Sequence, residues 1–197
     1  MKKALLFIIL SLAVTATQAQ FGVKGGIAIS TWGGSDVDDV SSSKSSIIGP
    51  YFGAYYNLKI SHMFSVQPEL VYSSQGVKFE ESGVELKYTL GYLNFTPLFR
   101  WNSQSGFFLG TGPQVGFLLS AKEKFDGTET DVKDNFRSTD FSWAFAAGYD
   151  LKSGLGFYGR FNLGLSSLDD ATSDPSKVYN RVFNIGIRYT IMPSKKG

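Results

Sequence analysis

Residues 64–75 read Phe-Ser-Val-Gln-Pro-Glu-Leu-Val-Tyr-Ser-Ser-Gln, and this two-faced run constrains the chain more than any other feature. Phe64, Val66, Pro68, Leu70 and Tyr72 share one parity, while Ser65, Gln67, Glu69, Ser73 and Gln75 share the other. Only Val71 breaks the pattern. Successive side chains of a strand point to opposite faces, so one face of this segment is apolar and the other polar. The same texture recurs over residues 21–32, 48–58, 92–101, 107–119, 141–151, 155–165 and 183–191. In each, large apolar side chains alternate with glycine, serine, asparagine and isolated charges.

Eight such segments predict an all-β fold: a single eight-stranded antiparallel up-and-down barrel. Two properties of the pattern predict that it crosses a membrane. First, the connections alternate in length. Polar stretches at residues 33–46, 78–84, 122–139 and 168–179 are long, and the turns near residues 59–63, 102–106 and 152–154 are short. Transmembrane barrels have short periplasmic turns and longer external loops. Second, the polar parity is too small and too mixed to coat a water-exposed wall, so it belongs inside. Aromatic residues on the apolar parity gather near strand ends (Phe64, Trp101, Phe107, Phe141, Trp143, Tyr149, Tyr189), as interfacial girdles require. A soluble periplasmic barrel with the faces reversed is the competing architecture.

Residues 1–19 have the form of a cleaved export signal: Lys2 and Lys3, an apolar run, then Thr17-Gln18-Ala19. That run is too short for a spanning helix. The expected organisation is a signal over 1–19, a barrel over 20–192 and a short tail over 193–197. Loss of Lys2 and Lys3 from a formal charge of +2 leaves the exported chain near neutral, so nucleic acid is not an expected partner. The chain has no cysteine, which excludes disulfides, cysteine metal sites and a lipid-bearing cysteine. Its 22 glycines suit close backbone contacts and turns in a sheet.

Residues 64–76 resemble the hallmark strand of the PorT-type outer-membrane β-barrel family of Bacteroidota. So do residues 22–29, the 92–99 strand with Pro97, the run Gly-Thr-Gly-Pro-Gln-Val-Gly-Phe-Leu-Leu-Ser-Ala at 110–121, and residues 160–165. The resemblance covers nearly all of the exported chain. It implies an outer-membrane location and, through the family's named member, a link to a protein-secretion and gliding apparatus. One departure is visible: barrels of this kind usually end on an aromatic residue, whereas here Tyr189 is followed by Thr190-Ile191-Met192.

If the polar parity faces inward, Lys24, Arg100, Arg160 and Arg188 share the lumen with Glu69 and Asp150. An eight-stranded interior is just wide enough for side chains, so these six should interlock as a plug. The surplus of cations would be met by water, carbonyls, tyrosines (Tyr51, Tyr55, Tyr92, Tyr158) or an anion. A narrow ion path is the alternative. No catalytic, cofactor or metal site is expected. The single histidine, His62, falls in a short turn, without a visible partner for acid–base chemistry. Neither Asp36, Asp38 and Asp39 nor Asp126, Glu129 and Asp131 has calcium-loop spacing. Gly110 and Gly112 lie in a strand rather than before a helix, and the Asn94-Phe95-Thr96 triplet does too. Expected partners are outer-membrane lipid or lipopolysaccharide, touched by Lys78, Lys87, Lys122, Lys124 and Arg137, and other envelope or secretion proteins. A monomeric scaffold displaying external loops is the expected role, with a small channel as the alternative.

Overall fold

The computed structural model describes residues 20–35, 44–81, 83–168 and 177–191. The expected signal at 1–19, the tail at 193–197 and the acidic group Asp36, Asp38 and Asp39 lie outside these residues. The strands are β1 (Gln20–Gly33), β2 (Lys44–Lys59), β3 (Phe64–Glu81), β4 (Val84–Asn102), β5 (Phe107–Phe125), β6 (Thr128–Asp131), β7 (Thr139–Asp150), β8 (Leu155–Gly164) and β9 (Tyr179–Ile191). All pair antiparallel. Eight of them form a ring in which β4 pairs β5, β5 pairs β7, and β9 closes on β1. The short β6 folds back on the end of β5 outside the ring.

Alternation decides which side chains face where. Val23, Ile27, Phe52, Leu70, Phe95, Phe99, Leu109, Phe145, Phe157, Ile185 and Ile187 stand exposed on the outer wall. Lys24, Gln67, Glu69, Asn94, Thr96, Arg100, Gln114, Arg160, Asn162, Asn184 and Arg188 are buried inside. A wall this apolar cannot face water over its whole height, because contiguous exposed apolar patches on soluble monomers are small. The inverted arrangement is that of a barrel dissolved in hydrocarbon. Trp101, Phe107, Tyr149 and Tyr189 lie at the short-turn end, and Trp101 meets Phe107 edge-on at 6.5 Å.

Closure depends on glycines that face inward at the seam. Gly26 of β1 is paired with Gly186 of β9. A Cβ on Gly26 would strike the Ile185 backbone, and one on Gly186 would strike that of Gly25. Backbone cannot yield as a side-chain tip can, so Gly26→Val should prevent the first and last strands from pairing. The expected result is loss of the compact, heat-sensitive species that a closed barrel gives on a detergent gel.

The structure corrects the expected strand ends. Residues 78–84 are not a loop: β3 and β4 stay paired to Glu81↔Val84. Likewise, within 122–139, β5 runs to Phe125 and turns back through Asp126 (φ 44°) and Gly127 (φ 81°) into β6. Paired positive φ values are those of a tight hairpin turn. A single 3-10 turn, Lys133–Asn135, follows. The charges that suggested loops are the outward parity of strands extending past the lipid into water. Lys78 pairs there with Glu80 and Glu85, and Lys122 with Glu129.

The interior reverses with them. Above the lipid, the buried side chains are Trp32, Val77, Leu90, Tyr92, Leu118, Ala121 and Leu168, against which Phe79, Tyr88 and Phe136 pack. Trp32 stacks on Tyr88 at 5.2 Å. A segment surrounded by water needs an apolar core, whereas one surrounded by hydrocarbon needs none. The expected polar lumen therefore holds only for the lower part of the barrel. Between the two parts, β5 carries an extra residue at Leu119, since Tyr92 pairs Leu118 while Gly91 pairs Ser120. This bulge moves the inward set from Leu118 to Ala121.

Candidate functional site: the lumen network

Six strands each deliver one charge to the lower lumen. Lys24 comes from β1, Glu69 from β3, Arg100 from β4, Asp150 from β7, Arg160 from β8 and Arg188 from β9. All six meet in one network with two centres. At the first, Glu69 accepts from Arg160 Nη1 at 2.5 Å and from Lys24 Nζ at 3.0 and 3.1 Å. The rest of the Arg160 fork is spent on Asn162, Thr96 and Gln114, at 2.7, 2.7 and 2.6 Å. At the second, Asp150 accepts from Arg100 Nη2 at 2.8 Å, and Arg188 Nε lies 3.3 Å away.

Gln67 joins the centres. Its Nε2 donates to Glu69 at 2.5 Å, and its Oε1 accepts from Arg100 at 2.6 Å and from Arg188 at 2.9 Å. A carboxamide suits this position because it both donates and accepts. The surplus cationic charge rests on ring faces. Lys24 Nζ lies 4.3 Å from the Tyr158 ring centroid, Arg188 lies 4.1 Å over Tyr55, and Arg100 lies 3.8 Å over Phe108. Desolvated cation–aromatic contacts of this kind are each worth about 2 kcal/mol. Gln67 and Phe108 were not singled out from the sequence. Gln67 could have been, since it shares a parity with Glu69. Phe108 sits beside the outward Phe107, and an aromatic residue on the polar parity gives no sign of its partners.

Around the network, Ala28, Tyr51, Val71, Phe108, Tyr158 and Val182 pack together inside the lumen. Val71, the exception to the alternation, is thus one of the inward side chains. Below it, a vestibule of about 600 Å³ opens at the short-turn end, lined by Asn57, Lys59, His62, Asn102 and Asp150. His62 is there without a hydrogen-bond partner among the described residues. Its neighbour Ser61 is occupied in accepting from the Met63 and Phe64 N–H groups.

The remaining candidates have structural surroundings. Asn94 is buried in the lumen, and Gly110 and Gly112 lie against Leu98 and the Pro97 backbone. Asp131 caps the Lys133 N–H at 2.9 Å, and Glu129 holds Lys122. No three acidic or histidine side chains gather into a metal site among the described residues.

An apolar outer wall, a polar lower lumen and short turns at the end where both termini of the ring lie define a transmembrane β-barrel. Residues 15–170 match the model of the outer membrane protein beta-barrel domain, and the chain belongs to that family. Its location is therefore the outer membrane, and the reversed, soluble barrel is excluded. Among solved structures it is similar to Neisserial surface protein A, at 14% identity over 88% of this chain and 99% of that one, with a TM-score of 0.52. It is also similar to Ail, the attachment invasion locus protein of Yersinia pestis, at 16% identity over 88% and 97%, with a TM-score of 0.47. At 14% identity, the likeness to Neisserial surface protein A speaks to the fold alone. No curated protein sequence matches the chain.

Proposed function

We propose that this chain is a closed, monomeric, non-enzymatic scaffold that presents its extracellular segments to another component of the envelope. The observation that carries this reading is the Arg160–Glu69–Lys24 and Arg100–Asp150–Arg188 network, which fills the lumen at the level where a channel would need an open path. Closure above it by the Trp32 cluster supports the same reading. The lumen charges are held by one another, and among the described residues His62 has no partner to orient it. Such a molecule would present residues 33–46 and 168–179, the β3–β4 hairpin and the β5–β6 hairpin. The PorT-type resemblance supports secretion machinery as the partner, by analogy of family. Exposed Lys122 and Lys124 suit phosphate groups of lipopolysaccharide.

A narrow ion path is the second reading, favoured by the vestibule that leads up to Asp150. Planar-bilayer recording on the purified barrel separates the two. The scaffold predicts a silent membrane at all voltages that leave the bilayer intact. Stable unitary openings would replace it with the channel. Cross-linking from the external hairpins in whole cells should then capture a defined envelope protein in the silent case.

A further inference from the structure

The buried Glu69 and the half-buried Asp150 are neutralised by neighbouring cations, but the buried carboxylate of Asp140 is not. Asp140 is the first inward residue of β7 and is 4% exposed. It lies between the network below and the aromatic cap above, paired across strands with Gly116, over which the Asn94 Oδ1 and the Tyr92 ring lie. Its carboxylate accepts from Ser166 Oγ at 2.9 Å and, at a long 3.3 Å, from Asn180 Nδ2. No cation reaches it among the described residues. Arg160, on the neighbouring strand, is committed to Glu69. A carboxylate taken out of water without a counter-charge costs several kcal/mol, so something positive belongs here.

The surroundings say what kind. The Tyr92 hydroxyl and Asn180 Oδ1 both lack hydrogen-bond partners. Tyr92 and Asn180 are only 1% and 2% exposed. The Tyr92 ring passes over Gly116, the cross-strand partner of Asp140, and Asn180 donates to Asp140, so the two orphaned oxygens belong to side chains gathered around one carboxylate. A carboxamide can also turn end for end, which would aim Asn180 Oδ1 at the space its Nδ2 now spans weakly. Asp140, Ser166, Tyr92 and Asn180 together offer oxygen ligands and no sulfur or imidazole, the set chosen by hard cations. One carboxylate among neutral oxygens balances a single positive charge. A divalent ion would leave one charge uncompensated in the interior.

We propose that Asp140, Tyr92, Ser166 and Asn180 form a buried binding site for a monovalent alkali cation, sodium or potassium, at the extracellular end of the lumen. The cation ties the start of β7 and the residues after β8 to β4 and β9, beneath the cap, and so braces the wall that carries the external segments. A purely structural serine–carboxylate clamp would give the same contacts without the ion, and thermal melting distinguishes them.

Full-length barrel in detergent micelles is melted at pH 8 in sodium chloride, potassium chloride or choline chloride at equal ionic strength. Ligand binding to the folded state raises the melting temperature with concentration, and saturating sodium or potassium should raise it by about 5 °C over choline. Asp140→Asn should melt alike in all three salts. Glu129→Gln, an exposed control, should keep the wild-type response. If wild type melts identically in all three salts, or Asp140→Asn keeps the response, there is no site and the carboxylate is a clamp or carries a proton. Should Asp140→Asn fail to assemble, Tyr92→Phe decides, since it removes only a hydroxyl. A several-fold higher cation midpoint is expected, and an unchanged one overturns the proposal.

Discussion

Glu69→Ala should lower the stability of the barrel by about 3–5 kcal/mol, the cost of leaving one side of a buried ion pair behind. The side chain is fully enclosed, and three donors point at its two oxygens: Arg160, Lys24 and Gln67. Truncation strands Arg160 and Lys24, which are 1% and 8% exposed. It also frees the amide end of Gln67, whose other end holds Arg100 and Arg188, so the loss spreads to the second centre. Urea unfolding of the refolded barrel, followed by tryptophan fluorescence from Trp32, Trp101 and Trp143, measures the change. Glu69→Gln should fall between wild type and Glu69→Ala, because it keeps an acceptor but not the charge. An unchanged midpoint for Glu69→Ala would mean that water already reaches the cations and that the plug is not closed. The scaffold reading would then lose its main support.

The outer wall was legible in the sequence because alternation is a local property. A side chain's parity depends only on its place along its own strand, so Leu70, Phe95, Ile185 and Ile187 could be set on one face without knowing any pairing. The lumen charges were legible to the same extent: Lys24, Glu69, Arg100, Asp150, Arg160 and Arg188 fall on the inward parity. Which of them touch was not. The stagger around the ring sets the depth at which Lys24 and Arg160 meet Glu69, and that stagger is the sum of the pairing registers from β8 through β9, β1 and β2 to β3. Asp140 shows the same limit, since an acidic residue at a strand start after a charged stretch reads as a solvated one.

The misjudged stretches have a single cause. Residues 78–84 read as a loop because Lys78 and Glu80 put charge on the parity that is apolar elsewhere along β3. Yet Val77 and Phe79, like Tyr88 and Leu90, keep the alternation on the other parity. Alternation survived while its sign changed, because the solvent outside the barrel changed from lipid to water. The level at which charge replaces isoleucine and phenylalanine on the outward parity thus marks the edge of the membrane. On β3 that change falls between Tyr72 and Lys78, and on β5 between Phe117 and Lys122.

Ile185 lies well inside that edge, at the middle of β9, half exposed on the outer wall opposite Ile27. Replacing it with arginine should destabilise the barrel in a lipid bilayer by about 2–4 kcal/mol, the cost of a basic side chain near the midplane. The same change at Lys78 or Lys122, above the lipid, exchanges one cation for another in water and should cost little. The contrast matters more than either value. In a water-filled setting an outward arginine at 185 would be as harmless as one at 78, so equal unfolding midpoints for Ile185→Arg and Lys78→Arg would contradict the lipid contact. A large loss at 185 alone would confirm that the outer face of β9 is solvated by hydrocarbon. Repeating the substitution at Val23, nearer the short-turn end, should give a smaller loss, because the side chain there can reach the interface. The gradient from 185 to 23 to 78 would then read out the depth of each residue in the membrane.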